Sequence, residues 1–258
     1  NDNYGYVRRY PDEREKARQG GNGIYYHNSY WAPPGGSYLF ICSIPLAHTG
    51  NELRKAYREG IRKLWVTNFG AMKPLEQQIS FYARLAWDVG KEGSVTEDPC
   101  KFLEQWIDGA FSGGHGRVLA PVLTAFDQLT NVRKLEQLDI DVFSQTAWGD
   151  EGAARLHEYE RMFEAVNAVY QRLPRQERDA FFQMVAMKIH AAYFTNAMYY
   201  YADRSNLCMA RGKYRAAELC VRKSNLFDRT ERSMLYYYNH VMSGGKWNGI
   251  LTPEAFPP

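Results

Sequence analysis

The sequence predicts an α/β region followed by an all-α region, and two observations carry that prediction. Before about residue 90, β-rich runs alternate with segments of helical spacing. From about Asp98 onward no strand pattern recurs, and apolar residues step by three and four over long stretches. Strand–helix–strand–helix order argues for parallel βα units, as in a barrel or an open α/β sheet. The later pattern argues for antiparallel helical neighbours joined by short loops, a helical bundle. The composition shifts in GKEGSVTED, between Asp88 and Pro99, so the chain is read as residues 1–93 and 94–258.

Each element has its own signal. The opening NDNYG reads as a turn after a strand end. GIYYH, residues 23–27, reads as a strand. Residues 51–63 read as a helix with Leu53, Tyr57 and Ile61 on one stripe. LWVTN, residues 64–68, is a second strand closed by Phe69-Gly70. Residues 74–88 are again helical, with Pro74 in the first turn and Leu75, Ile79, Tyr82, Leu85 and Ala86 at helical spacing. Later, Leu156, Tyr159, Phe163, Val166, Tyr170 and Leu173 form one stripe. Leu173-Pro174 breaks that helix from another over 175–204, carrying Phe181, Val185, Ile189 and Tyr193. Phe227, Thr230, Met234, Tyr237 and Val241 mark a last helix, ended by Gly244-Gly245.

The composition narrows the function classes. Among 258 residues, 45% are hydrophobic and 24% charged, with a net charge of +3, as in an ordinary globular protein. The absence of a dense basic run argues against nucleic acid as a partner. No stretch is long and apolar enough to span a membrane. Aromatic residues reach 15%, with Tyr the most frequent, which suits either an aromatic-rich core or a carbohydrate surface. Cys42, Cys100, Cys208 and Cys220 form no CxxC pair and have no zinc-like spacing, so free thiols, no metal and no cofactor are expected. With no initiator Met and no signal peptide, the chain is read as a segment of a longer protein.

In βα architectures ligands sit at the C-terminal ends of the strands. Alternation puts Tyr25 and His27 on one face of the first strand and Ile24 and Tyr26 on the other, so Tyr26 is expected to pack under helices. Asn68 shares its face with Val66 and Leu64, at the top of an expected core-filling row. Packing with a capped hydroxyl or a satisfied imidazole explains such a Tyr or His as well as a ligand does. Spacing alone therefore names no reaction.

The ordered blocks DNYGYVRRYP, GGNGIYYHNSY, WVTNFGAMKPLE and GGKWNGILTPEAFPP resemble the xylan α-glucuronidases of glycoside hydrolase family 115. Between the third and fourth, LPRQERDAFFQ and NAMYYYADRSNL resemble the family's helical region. The resemblance implies the last strands and helices of a (β/α)8 TIM barrel followed by a helical bundle, within a large secreted or periplasmic multidomain protein that often forms homodimers. It implies removal of (4-O-methyl-)glucuronic acid from α-1,2 links on glucuronoxylan, with inversion. The family's sugar-binding positions fall on Asn3, Tyr25, His27 and Tyr30, and a protonated His27 would favour the sugar carboxylate. Two departures stand out: Ala71 replaces a usual acidic residue, and WAPPGGSYLFIC replaces a Gly- and Arg-rich continuation.

Inverting hydrolysis needs two carboxyl groups roughly 6.5–9.5 Å apart. The family's main candidates lie upstream of DNYG. Within this chain the catalytic candidate is Asp2, which also fits a turn role, while Glu76 is expected to serve the start of a helix. The isolated chain is expected to be inactive. The alternative readings are a non-catalytic carbohydrate-binding module or a helical interaction module.

Overall fold

The computed structural model describes residues 2, 4–28, 41–70, 72–147 and 149–251. They form two compact units, one of the described residues up to Val132 and one of those from Arg133 onward.

The first unit contains α1 (Glu13–Lys16), β1 (Asn22–His27), α2 (Leu46–Arg58), β2 (Ile61–Asn68), α3 (Glu76–Asp88), α4 (Pro99–Ala110) and α5 (Gly116–Val132). β1 and β2 pair in parallel, with Tyr25 opposite Val66, Tyr26 opposite Thr67 and His27 opposite Asn68. α2 makes the crossover, so the βαβ order expected from the alternating pattern is present. One sheet face is covered: Tyr26 is fully buried, its ring 6.5 Å from Tyr82 of α3, and Trp65 lies 6.3 Å from that same ring. Leu53 and Ala56 of α2 and Phe81 and Leu85 of α3 are fully buried.

Three boundaries differ from the sequence reading. The helix expected over 51–63 spans Leu46–Arg58. Gly60 stops it: with φ at +98° it takes a conformation open to glycine, and its N–H donates to the Tyr57 carbonyl at 3.1 Å. The chain then enters β2 at Ile61, three residues before LWVTN. Pro74 precedes α3 instead of opening it, and the Lys73–Pro74 peptide is cis. The packing break at Val132/Arg133 also lies well beyond the composition break near residue 93. α4 and α5 stay with the strands because Phe102 packs edge-on against Phe81 at 5.1 Å and the Trp106 indole N–H donates to Ser80 Oγ at 3.3 Å. Asn131 of α5 likewise donates to the Ser43 carbonyl at 3.0 Å.

The second unit contains α6 (Glu151–Arg172), α7 (Arg175–Phe181), α8 (Met187–Ala210) and α9 (Tyr214–Tyr236), with no strand among the described residues. A π-helical turn, Phe182–Ala186, interrupts the helix read as continuous over 175–204, which then runs on to Ala210. Such a turn keeps the chain helical, so the apolar stripe through Phe181, Val185 and Ile189 survives it and all three are fully buried. α8 and α9 pack as a hairpin: Ser205 donates to the Ala217 carbonyl at 3.1 Å, and Ser224 to the Met198 carbonyl at 2.9 Å. Positive φ at Ser243, Gly244 and Gly245 closes the last helical turn.

Candidate functional site

The site is built from the C-terminal ends of two parallel strands. His27 and Asn68 stand opposite each other in the register, and the Asn28 N–H extends the ladder to the Asn68 carbonyl at 3.0 Å. Asn28 is buried, and its side-chain amide donates to Thr67 Oγ1 at 2.6 Å. It fixes the strand end instead of facing a ligand.

Tyr25 and His27 share a face, with ring centroids 4.9 Å apart. Tyr25 is 55% exposed. Desolvation holds the His27 imidazole below its usual pKa, so at neutral pH it is uncharged. In that state the imidazole offers an N–H donor instead of a positive charge. The row beneath is open. Leu64 and Val66 were expected to fill a core, yet they are 63% and 36% exposed. The tyrosine, the imidazole and these two aliphatic side chains make an amphipathic surface, apolar in the middle and hydrogen-bonding at its strand-end rim.

Tyr26 points the other way and anchors the chain start. Its hydroxyl donates to the Gly5 carbonyl at 3.1 Å and lies 3.5 Å from Thr49 Oγ1. Gly5 sits at φ +89°, and a Cβ there would meet the Tyr26 hydroxyl at 2.8 Å. Glu52 completes the attachment by accepting the Val7 N–H at 2.8 Å.

Asp2 is committed to this turn. Its Oδ1 accepts the Tyr4 N–H at 3.0 Å and the Tyr6 N–H at 2.9 Å, and its Oδ2 pairs with Arg8. Burial opposes ionisation of Asp2. The Tyr6 N–H, the Arg8 hydrogen bond, the Tyr4 N–H and the Arg8 charge outweigh that and hold the carboxyl below its usual range. A general acid needs the opposite, a raised pKa and a proton to give. The lowered pKa argues against Asp2 as the acid, and its contacts to Tyr4, Tyr6 and Arg8 give it a turn role. Glu76 opens α3 and pairs with Lys73 at 2.6 Å, as its position at the helix start suggested.

Asn3, Tyr30, Ala71 and residues 29–40, which include most of WAPPGGSYLFIC, lie outside the described residues. The structure adds one pair that no motif signalled: Tyr6 and His48, ring centroids 4.3 Å apart. Desolvation lowers the His48 pKa against the opposing charges of Glu52 and Asp2. Its signal is invisible in sequence because Tyr6 and His48 meet only through the turn that Tyr26 anchors.

Residues 1–137 match the model of glycosyl hydrolase family 115. The fold is similar to that of a solved family GH115 4-O-methyl-α-glucuronidase, BtGH115A, with specificity for decorated arabinogalactans, at a TM-score of 0.78 and 27% identity. The match covers 97% of this chain and 33% of that one, so this chain spans about a third of the solved relative's length. No curated protein matches the sequence.

Proposed function

The chain belongs to glycosyl hydrolase family 115, and from that premise we propose that it is the part of an α-glucuronidase that holds the departing sugar. The reaction proposed is hydrolytic release of (4-O-methyl-)glucuronic acid from α-1,2 links on glucuronoxylan, with inversion. The observation that carries this reading is the shared face of Tyr25 and His27 at the C-terminal end of a parallel strand pair, where βα folds place their ligands.

The chemistry fits a glucuronosyl group. A neutral imidazole N–H and a phenol can donate to the carboxylate and ring hydroxyls, and a tyrosine face can cover the apolar C–H surface of the sugar. Asn3 and Tyr30 join this subsite in the proposal. The relative's preference for decorated arabinogalactans favours the uronosyl group, not the backbone polymer, as the element these residues recognise. The general acid and base are proposed to come from residues preceding this chain, because Asp2 is ionised, which suits no acid, and both its oxygens are engaged by Tyr4, Tyr6 and Arg8. A polymeric plant substrate favours a location outside the cytoplasm.

The test uses the protein at its natural length with aldouronic acids from glucuronoxylan, followed by proton NMR. Release of the uronic acid as its β-anomer supports the proposal. A bound but uncleaved substrate supports the non-catalytic binding module, and neither binding nor release rejects the subsite.

A further inference from the structure

A second cleft lies at the opposite pole of the first unit. It is an open groove of about 440 Å³ along the last turn of α3, the loop after it and the first turns of α4. α3 has 13 residues and is about 20 Å long. It carries the chain away from the end of β2 and back toward its beginning: a Cβ on Gly90, just past α3, would lie 3.5 Å from the hydroxyl of Tyr57, in the last turn of α2 shortly before β2 starts. The cleft is thus separated from the Tyr25–His27 face by the length of a helix.

Its lining is basic and aromatic: Arg84, Lys91, Lys101, Gln105 and Trp106 surround one carboxylate, Asp88. Asp88 is buried and already neutralised by Arg84 Nε at 2.7 Å. Asp98, the acidic neighbour on the α4 side, is engaged in capping α4 by accepting the Lys101 N–H at 3.0 Å. Glu92 and Glu97 are exposed on the same loop but outside the lining, and Glu97 acts on Arg54, so the lining itself sets Arg84, Lys91 and Lys101 against Asp88 alone. Trp106 is anchored by its indole N–H on Ser80, which fixes its ring in the wall. Trp87 of α3, three residues after Arg84 and four before Lys91, is 88% exposed. Trp87 is not part of the lining, so Trp106 is the indole the cleft itself presents.

We propose that this cleft is a second glycan-binding site that takes an acidic saccharide. Lys91 and Lys101 meet carboxylates, Gln105 meets hydroxyls, and the Trp106 indole offers an apolar plane to sugar C–H faces. Two exposed cations are too few to track a phosphate backbone, which disfavours nucleic acid. Such a site would hold the protein on a charged polysaccharide while the strand-end subsite works elsewhere along the same chain.

Affinity electrophoresis of the natural-length protein through gels containing glucuronoxylan tests this. The expected result is retardation that weakens with salt, is lost on the same polymer after its carboxyl groups are reduced, and falls by roughly two- to thirtyfold in apparent affinity for the K91A/K101A variant. Hydrolysis of a small soluble glucuronoside by that variant should stay at the wild-type level, which separates this site from the catalytic one. Equal retardation of variant and wild type, equal retardation on the carboxyl-reduced polymer, or equal binding to a short DNA duplex overturns the proposal.

Discussion

Tyr25 and His27 leave β1 on the same face with their ring centroids 4.9 Å apart, while Tyr26 between them is fully buried on the other face. Removing either outward ring leaves the strand's packing intact, because the anchor is Tyr26. For His27→Ala, losing a donor to a charged carboxylate is expected to lower kcat/KM on aldouronic acids roughly ten- to hundredfold. For Tyr25→Phe the loss is about two- to tenfold if only the hydroxyl contributes. The His27 pKa lies below 6.5, so protonation begins only in acid and then strengthens the contact with the sugar carboxylate. KM should fall as pH drops through that region in the wild type and not in His27→Asn. An unchanged kcat/KM in both single variants would remove these residues from the subsite.

Asp2→Asn discriminates the turn from the catalytic role. Asparagine still accepts the Tyr4 and Tyr6 N–H groups through its carbonyl and loses only the charge paired with Arg8. Activity should fall less than about tenfold, against the factor of roughly 10²–10⁴ expected for a missing acid–base group. Steady-state kinetics settles it, and a loss of a thousandfold would restore Asp2 as a catalytic carboxylate.

How much of this was legible follows from what each signal depends on. Alternation along β1 assigned Tyr25 and His27 to one face because side chains in a strand have a period of two whatever surrounds them. The helix over 51–63 overran because KAYREGIRKLW keeps helical spacing across Gly60, and only the positive φ of that glycine reveals the stop. The exposure of Leu64 and Val66 is not a sequence property, since whether an apolar row is covered depends on what packs over it. The state of Asp2 was equally hidden: three donors converge on it from a turn whose shape depends on Tyr26, 24 residues away.

In the second unit Glu231 is an acid held neutral. It is buried, and both carboxyl oxygens lie 3.0–3.1 Å from Thr195 Oγ1. The single hydroxyl proton of Thr195 is shared between these oxygens and the Ala191 carbonyl at 2.8 Å, so it offsets little of the cost of burying a charge on Glu231. Desolvation raises its pKa well above 4.5, against the hydrogen bond from Thr195. The unfolded chain gives up this proton above pH 4.5 while the folded unit keeps it. Each further pH unit therefore costs about 1.4 kcal/mol until the folded pKa is reached. Glu231→Gln should match the wild type near pH 4.5 and exceed it in stability at pH 8, measured by hydrogen exchange in α8 and α9. Equal protection of both proteins at pH 8 contradicts the buried neutral acid.

His190 imposes the opposite dependence on the same unit. Its ring is packed 4.5 Å from Phe163 and 5.9 Å from Phe182 and Phe194, and its Nε2 is buried with no hydrogen-bond partner among the described residues. Desolvation lowers its pKa from 6.5 to about 4. As pH falls below 6.5 the unfolded chain takes up a proton that the folded unit refuses, so stability drops until about pH 4. The loss attributable to this one side chain is about 2–3 kcal/mol between pH 7 and pH 4.5. His190→Leu, close in volume and without the unsatisfied nitrogen, removes that part of the decline. Protection of the α8 amides at the two pH values should therefore differ less in the variant than in the wild type. If acid weakens both proteins equally, the imidazole is not what makes this unit sensitive to acid.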